Sequence, residues 1–191
     1  MLVPPLLLET KDFVVEHLDD SPENLQLIAA FTSSNNAMGL ELYLKYQAIN
    51  DEDNGQSRTY LVKDALTREL ACYFSLRTCL IPYQLADRRI NLSAIELANF
   101  AVNDNYRRSQ RAVLKIGEYV FVEIILPLAK HISTCVGAGW LCIFALPKER
   151  LIDYYKTKLG FSRLPIEKET FVHSHVKPDY DKDCVFMYQR I

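Results

Sequence analysis

Between Asn103 and Phe121 the sequence reads NDNYRRSQRAVLKIGEYVF. Arg107, Arg108, Arg111 and Lys115 cluster there, and Gly117 opens a long apolar run. Cations ahead of a helix start suit a phosphate. Their hydrogen bonds to it are charge-assisted, glycine lets backbone N–H groups approach, and the helix start adds partial positive charge. The same residues also suit a solvated turn, and the sequence leaves both open. Upstream, Glu96 is the only ionisable residue in SAIELANFAV. A buried carboxylate is costly unless paired or wet, and burial would raise its pKa toward that of a general base. The alternative is a strand-end carboxylate paired with an arginine such as Arg77. Downstream, Tyr154 and Tyr155 stand in PKERLIDYYKTKLG. A phenol is protonated near neutral pH and can donate to a leaving group; at helical spacing it can equally pack in a core. His173 and His175 would share one face if FVHSHV were extended, but no third ligand is evident, so they read as a surface pair and no metal site is expected. His131 reads as structural or exposed.

The elements that must position these groups follow from periodicity. FVVEHL, from Phe13, is a short strand. DDSPENLQLIAAF carries a helix start, with Ser21 as cap, Pro22 in the first turn and Glu23 at the positive end. GLELYLKYQAI is a second amphipathic helix, and NDEDNGQS a polar loop. RTYLVKD and ELACYFSLRTCLI form an antiparallel pair, Leu70, Cys72, Phe74 and Leu76 alternating with Ala71, Tyr73 and Ser75. SAIELANFAV, apolar on both faces, is a central strand. A helix runs from Gly117 to about Val136, with Pro127 expected to kink it. GWLCIFAL is a buried strand. PKERLIDYYKTKLG is a helix with Pro147 at its start and Gly160 at its C-cap. FSRL and DCVFMYQRI close the chain. The predicted order is β-α-α-β-β-β-α-β-α-β-β.

Length and composition bound the rest. At 191 residues, 49% apolar, the chain fits one domain over 1–191, with residues 1–12 as an N-terminal arm. A net charge of −2 argues against a dedicated duplex-DNA binder. Five cysteines, none in a C-x-x-C pair, argue against a disulfide framework and for a reducing cytoplasm. The N-terminus lacks the basic lead of a signal peptide. No apolar stretch reads as long enough to span a membrane, because Glu123 and Pro127 interrupt YVFVEIILPLA.

In this order, IELANFAV followed by NDNY, KIGEYVF, and above all LIDYYKTKLGF resemble the GNAT superfamily of N-acetyltransferases, from Phe13 to the end of the chain. FTSSNNAMGLELYLKYQA, RTYLVKD and CYFSLR are similar, more loosely, to the branch of tRNA-acetylating toxins, with Ser34 where those proteins often have glycine. The resemblance implies an α+β fold, GNAT-like, whose mostly antiparallel central sheet is splayed between the family's fourth and fifth strands and flanked by helices. It implies acetyl-CoA as co-substrate. Main-chain atoms of Ala98, Phe100 and Val102 would pair with the pantetheine arm, and a backbone N–H would stabilise the oxyanion.

The family's phosphate loop reads glutamine or arginine, two residues, glycine, one residue, then glycine or alanine. Two registers fit here. Arg107 to Ala112 has Gln110 in place of the first glycine; Ala112 to Gly117 has Lys115 there. The second is preferred, since it leaves the usual helix length before Gly137. In either, Arg107, Arg108, Arg111, Lys115, Ile116 and Gly117 would hold the diphosphate. Tyr155 corresponds to the general acid, or Tyr154, because the family commonly has one residue fewer before the glycine. Glu96 matches the strand glutamate that is the base in the histone-acetylating branch. The implied reaction is direct acetyl transfer to a primary amine, small-molecule or macromolecular. Alternatives are a catalytically degenerate binding module, a toxin-like enzyme acting on aminoacyl-tRNA, and a longer acyl group. The near-neutral charge weighs against tRNA. A homodimer and an antitoxin-like partner stay open; duplex DNA and membranes are not expected.

Overall fold

The computed structural model describes residues 6–33, 37–85, 88–109, 115–176 and 183–191. Eight strands form one mixed sheet in the order β1-β2-β3-β4-β5-β6-β8-β7. They are β1 (Leu6–Glu9), β2 (Phe13–His17), β3 (Arg58–Asp64), β4 (Leu70–Leu85), β5 (Arg88–Val102), β6 (Trp140–Ala145), β7 (Ser162–Arg163) and β8 (Val185–Arg190). β1–β2, β2–β3, β3–β4, β6–β8 and β7–β8 are antiparallel, while β5 and β6 are parallel. The chain divides into two compact units, Met1–Arg77 with Ala98–Tyr119, and Thr78–Leu97 with Val120–Ile191. β4 and β5 contribute to both.

In the first unit, helices α1 (Pro22–Ala29), α2 (Met38–Tyr46) and α3 (Ala48–Asp53) pack with the strands around Leu18, Ile28, Phe31, Leu44, Leu61 and Tyr73. The start of α1 is as the sequence predicts: Ser21 Oγ accepts the Asn24 amide at 3.4 Å, with Pro22 at the first turn. Two readings are corrected, while the predicted antiparallel pair of RTYLVKD and ELACYFSLRTCLI is observed as β3 and β4. β1 forms within the expected N-terminal arm, its Leu8 and Glu9 paired with Val15 and Val14. α3 occupies the first half of the expected polar loop, up to Asp53, because Glu52 finds partners outside its own segment: Arg58 Nη1 at 2.8 Å, His17 Nε2 at 3.2 Å and the Thr59 amide. Asn54 to Ser57 remain a turn. The two alternating sets on β4 are both buried from Leu70 to Leu76, so this part of the strand is covered on both faces.

In the second unit, α8 (Ile166–His175) and the strands enclose Ile81, Ala94, Cys142, Phe144, Val172, Cys184 and Phe186. FVHSH lies in α8 and is not extended; Val176 caps the helix. Pro165 precedes the helix, and Glu167 and Glu169 sit in its first turn, where negative charge complements the helix dipole; the two histidines lie in its last turn. His173 packs edge-on to Phe144 at 5.7 Å, and His175 against Phe171 at 4.3 Å. No group of three His, Cys, Asp or Glu is arranged for a metal among the described residues.

A helical run from Ile116 to Val136 joins α5 (Ile116–Val120), a π turn (Phe121–Ile125) and α6 (Leu126–Val136). Pro127 stands second in α6. It has no N–H for the carbonyl four residues back, and the wider π turn lies directly ahead of it. By length and composition this run is apolar enough to cross a membrane, contrary to the sequence reading. Two short apolar stretches become one helix because Glu123 and Pro127 do not end it. Val120, Phe121, Ile124, Ile125 and Ala129 are fully buried within the protein, but only 28% of the apolar window is buried, less than in a core helix.

Candidate functional site

β5 changes character along its length. Ala94, Ile95, Glu96 and Leu97 are all buried, but beyond them exposure alternates. Ala98, Phe100 and Val102 are half-buried, whereas Asn99, Ala101 and Asn103 are buried. The change falls where the parallel ladder ends. Its rungs are Ala94–Trp140, Ile95–Leu141 and Glu96–Cys142, and none follows among the described residues. A strand without a neighbour on one side offers its N–H and C=O groups to an extended ligand.

The strand then turns sharply under the control of Asn103. Its Oδ1 accepts the Asn105 amide at 3.1 Å, capping α4 (Asp104–Arg108), and the Thr32 amide at 3.3 Å. Its Nδ2 donates to the Leu70 carbonyl at 2.8 Å, and its own amide to the Ala71 carbonyl. Tyr106 anchors the far side of the turn. It is 6% exposed, and its hydroxyl donates to Asp64 Oδ2 at 2.6 Å. Burial and the adjacent Asp64 carboxylate push the phenol upward. Burial works to raise the Asp64 carboxyl too, but donation from Tyr106 and the Thr67 and Leu66 amides outweighs it and holds the group below its ordinary range. Asn103 and Tyr106 were missed as positioning residues by sequence reasoning. An Asn followed by Asp-Asn after an apolar strand is a cap signature that could have revealed the first.

With Asn103 and Tyr106 fixed, the cations face outward. Arg107 and Arg108 are exposed, Arg107 lying 3.5 Å from Asp104 Oδ1. Lys115, 79% exposed, is 4.0 Å from Glu118 Oε2. Ile116 is buried at the start of α5, and Gly117 follows it, half-buried. Arg111, with Gln110 and Ala112 to Leu114, lies outside the described residues, so both loop registers are only partly covered.

Glu96, Tyr154 and Tyr155 belong to the second unit. Glu96 is 1% exposed and engaged with neighbouring groups. Tyr155 lies on α7 (Glu149–Thr157). Its ring meets Phe161 edge-on at 5.7 Å, and Phe161 meets Phe121 at 5.5 Å. The Tyr155 carbonyl accepts the Phe161 amide at 3.0 Å, closing the turn in which Gly160 adopts φ +75°. The helix cap is Lys158, not Gly160 as the sequence predicts; two further residues complete the turn. Desolvation, with Tyr154 beside it at 6.2 Å, pushes the Tyr155 phenol up to about 12, although the residue as a whole is only half-buried. Such a group remains a proton donor at any physiological pH.

The predicted site residues thus fall into two sets. Ala98, Phe100, Val102 and the described cations share the first unit with Gly117; the two tyrosines and Glu96 share the second.

No protein-family model matches the chain, and no curated protein does. Solved structures do. A tyrosine-to-phenylalanine mutant of the AtaT toxin, bound to the C-terminus of the antitoxin AtaR and acetyl-CoA, is 20% identical over 94% of each chain, with a TM-score of 0.64. AtaT complexed with acetyl-methionyl-tRNAfMet is 19% identical over 94% of this chain and 95% of that one, with a TM-score of 0.63. The KacTA–DNA complex contributes a chain 19% identical, covering 93% and 92%, with a TM-score of 0.62. The α+β fold read from the sequence is therefore the one observed, and it is shared with the AtaT and KacT structures.

Proposed function

We propose that this chain is an N-acetyltransferase that moves the acetyl group of acetyl-CoA directly to a primary amine. The observation that carries the reading is the end of the β5–β6 ladder at Glu96–Cys142, with Ala98, Phe100 and Val102 half-exposed beyond it. The acetyl-CoA held by the AtaT neighbour supports it through the shared fold. In this reading the pantetheine arm adds to β5 through main-chain atoms of those three residues. Arg107, Arg108, Arg111 and Lys115 attract the diphosphate toward Ile116 and Gly117. The amine nitrogen attacks the thioester carbonyl, the C–N bond forms and the C–S bond breaks. Glu96 takes the amine proton, and Tyr155, or Tyr154 in its place, returns one to the thiolate. Calorimetric titration with acetyl-CoA tests the reading; absence of heat at millimolar ligand would remove it.

For the acceptor, the AtaT complex with acetylated methionyl-tRNA favours the amine of an aminoacyl-tRNA. The net charge of −2 counts against extensive phosphate contact by this chain alone. Acetylation of charged tRNA, compared with that of small amines, decides between them. The charge argument against duplex DNA likewise concerns the isolated chain, and the KacTA–DNA neighbour leaves assemblies with a partner protein open. We place the protein in the cytoplasm, acting as one domain. A non-catalytic binding module is the second reading, favoured by Lys115 where the family's loop has glycine. Acetyl transfer that is abolished by Tyr155→Phe would exclude it.

A further inference from the structure

Two thiols of the second unit touch. Cys79 Sγ on β4 and Cys142 Sγ on β6 lie 3.1 Å apart. Cys79 is half-buried and so within reach of a reagent, whereas Cys142 is 1% exposed. Both pack in the cluster that includes Ile81, Ala94 and Phe144. β5 stands between β4 and β6 in the sheet, and Ala94 is its fully buried member of that cluster. A single methyl on the intervening strand gives two longer side chains room to meet across it.

We propose that Cys79 and Cys142 form an oxidation site, closed to an intramolecular disulfide by exchange with a low-molecular-weight disulfide such as oxidised glutathione. The Cys79 thiol, as its thiolate, attacks one sulfur of the oxidant. That S–S bond breaks, and the departing glutathione thiolate takes up the proton Cys79 gave to solvent. Cys142 then loses its proton and attacks the Cys79 sulfur of the mixed disulfide. The second glutathione leaves and is protonated in turn. Two protein thiols lose two electrons and the oxidant gains them as two thiols. Closure from 3.1 Å to about 2.05 Å also requires β4 and β6, which flank β5, to draw together, because a disulfide spans backbones closer than about two strand spacings. Cys142 is also the β6 residue of the last rung with β5, so the cross-link fixes β6 at that point.

The test uses the full chain carrying Cys135→Ser, because Cys135 is exposed and would take an adduct of its own. After incubation with oxidised glutathione, intact mass and a non-reduced peptide map are recorded. The expected product is lighter by two hydrogens, yields one peptide pair joining positions 79 and 142, and is restored by dithiothreitol. Cys79→Ser, at the half-buried position, abolishes it, and so does Cys142→Ala. The Cys79→Ser arm stands alone if the core variant fails to fold. A lasting glutathione adduct at Cys79, a bond to Cys184 instead, or thiols unchanged after prolonged exposure would overturn the proposal. None of these outcomes depends on acetyl-CoA binding.

Discussion

The Tyr106 hydroxyl donates to Asp64 Oδ2 at 2.6 Å inside the first unit, tying the turn after β5 to the end of β3. The bond joins residues far apart in sequence and ends on a carboxylate. Tyr106→Phe keeps the ring and removes the donor. A hydrogen bond to a charged group is worth about 1.5–3 kcal/mol, so the variant should lose roughly that much in denaturant unfolding at pH 7. The pH dependence has a fixed sign. Asp64 is held below its ordinary pKa of 3.8, so its contribution is present above that value and disappears as pH falls through the lower, folded value. Tyr106→Phe should therefore lose less stability between pH 5 and pH 2 than the natural sequence. Parallel curves would mean that the bond contributes nothing.

Much of this arrangement can be read in the sequence where local rules govern. Ser21, Pro22 and Glu23 announce α1, and LIDYYKTKLGF announces a helix and its turn. Long-range partners hide the rest. The β5 change at Ala98 depends on where β6 stops pairing, which no periodicity within SAIELANFAV encodes. Residues Arg88 to Ser93, in which half-buried Ile90 and Leu92 alternate with exposed polar residues, extend β5 well before its apolar core begins. α8 was legible from Pro165, Glu167 and Glu169, but the paired histidines suggested a strand face and drew attention away from those signals.

Tyr155→Phe separates binding from chemistry. A general acid contributes about 10²–10⁴-fold, so acetyl transfer should fall by that factor while calorimetric affinity for acetyl-CoA is kept. The phenol, pushed up to about 12, stays protonated through pH 10. The alkaline limb of the rate profile should then lie well above the ordinary phenol range, provided no other group titrates first. If Tyr154→Phe produces the loss instead, the acid is its neighbour.

Arg107, Arg108 and Lys115 are exposed, and that makes them good probes. Alanine at each should change folding stability by less than about 0.5 kcal/mol, as exposed sites generally do. If they attract the diphosphate, each replacement should weaken acetyl-CoA binding by up to about fivefold, in line with exposed ion pairs of 0.2–1 kcal/mol, and added salt should shrink the difference. Unchanged affinity in all three variants, together with unchanged stability, would assign them to solvating the turn.

Glu52 holds α3 in place through partners that precede and follow it in sequence. Its carboxylate meets His17 Nε2 at 3.2 Å and Arg58 Nη1 at 2.8 Å, and accepts the Thr59 amide. Burial works to raise its pKa, but donation from His17, Thr59 and Arg58 prevails and lowers it. Its contribution is thus present above the ordinary value of 4.5 and is lost as pH falls through the lowered one. Glu52→Gln removes the charge at nearly constant shape, leaving an amide N–H₂ beside a guanidinium that needs an acceptor. The expected cost is about 1–3 kcal/mol at pH 7, shrinking toward zero in acid. Because so short a helix has little stability of its own, the loss should appear locally first. Hydrogen exchange at the Asn54 amide, which bonds to the Asn50 carbonyl at 3.0 Å, should accelerate more than exchange in β4. Uniform acceleration throughout the unit would show instead that α3 does not open independently of the sheet.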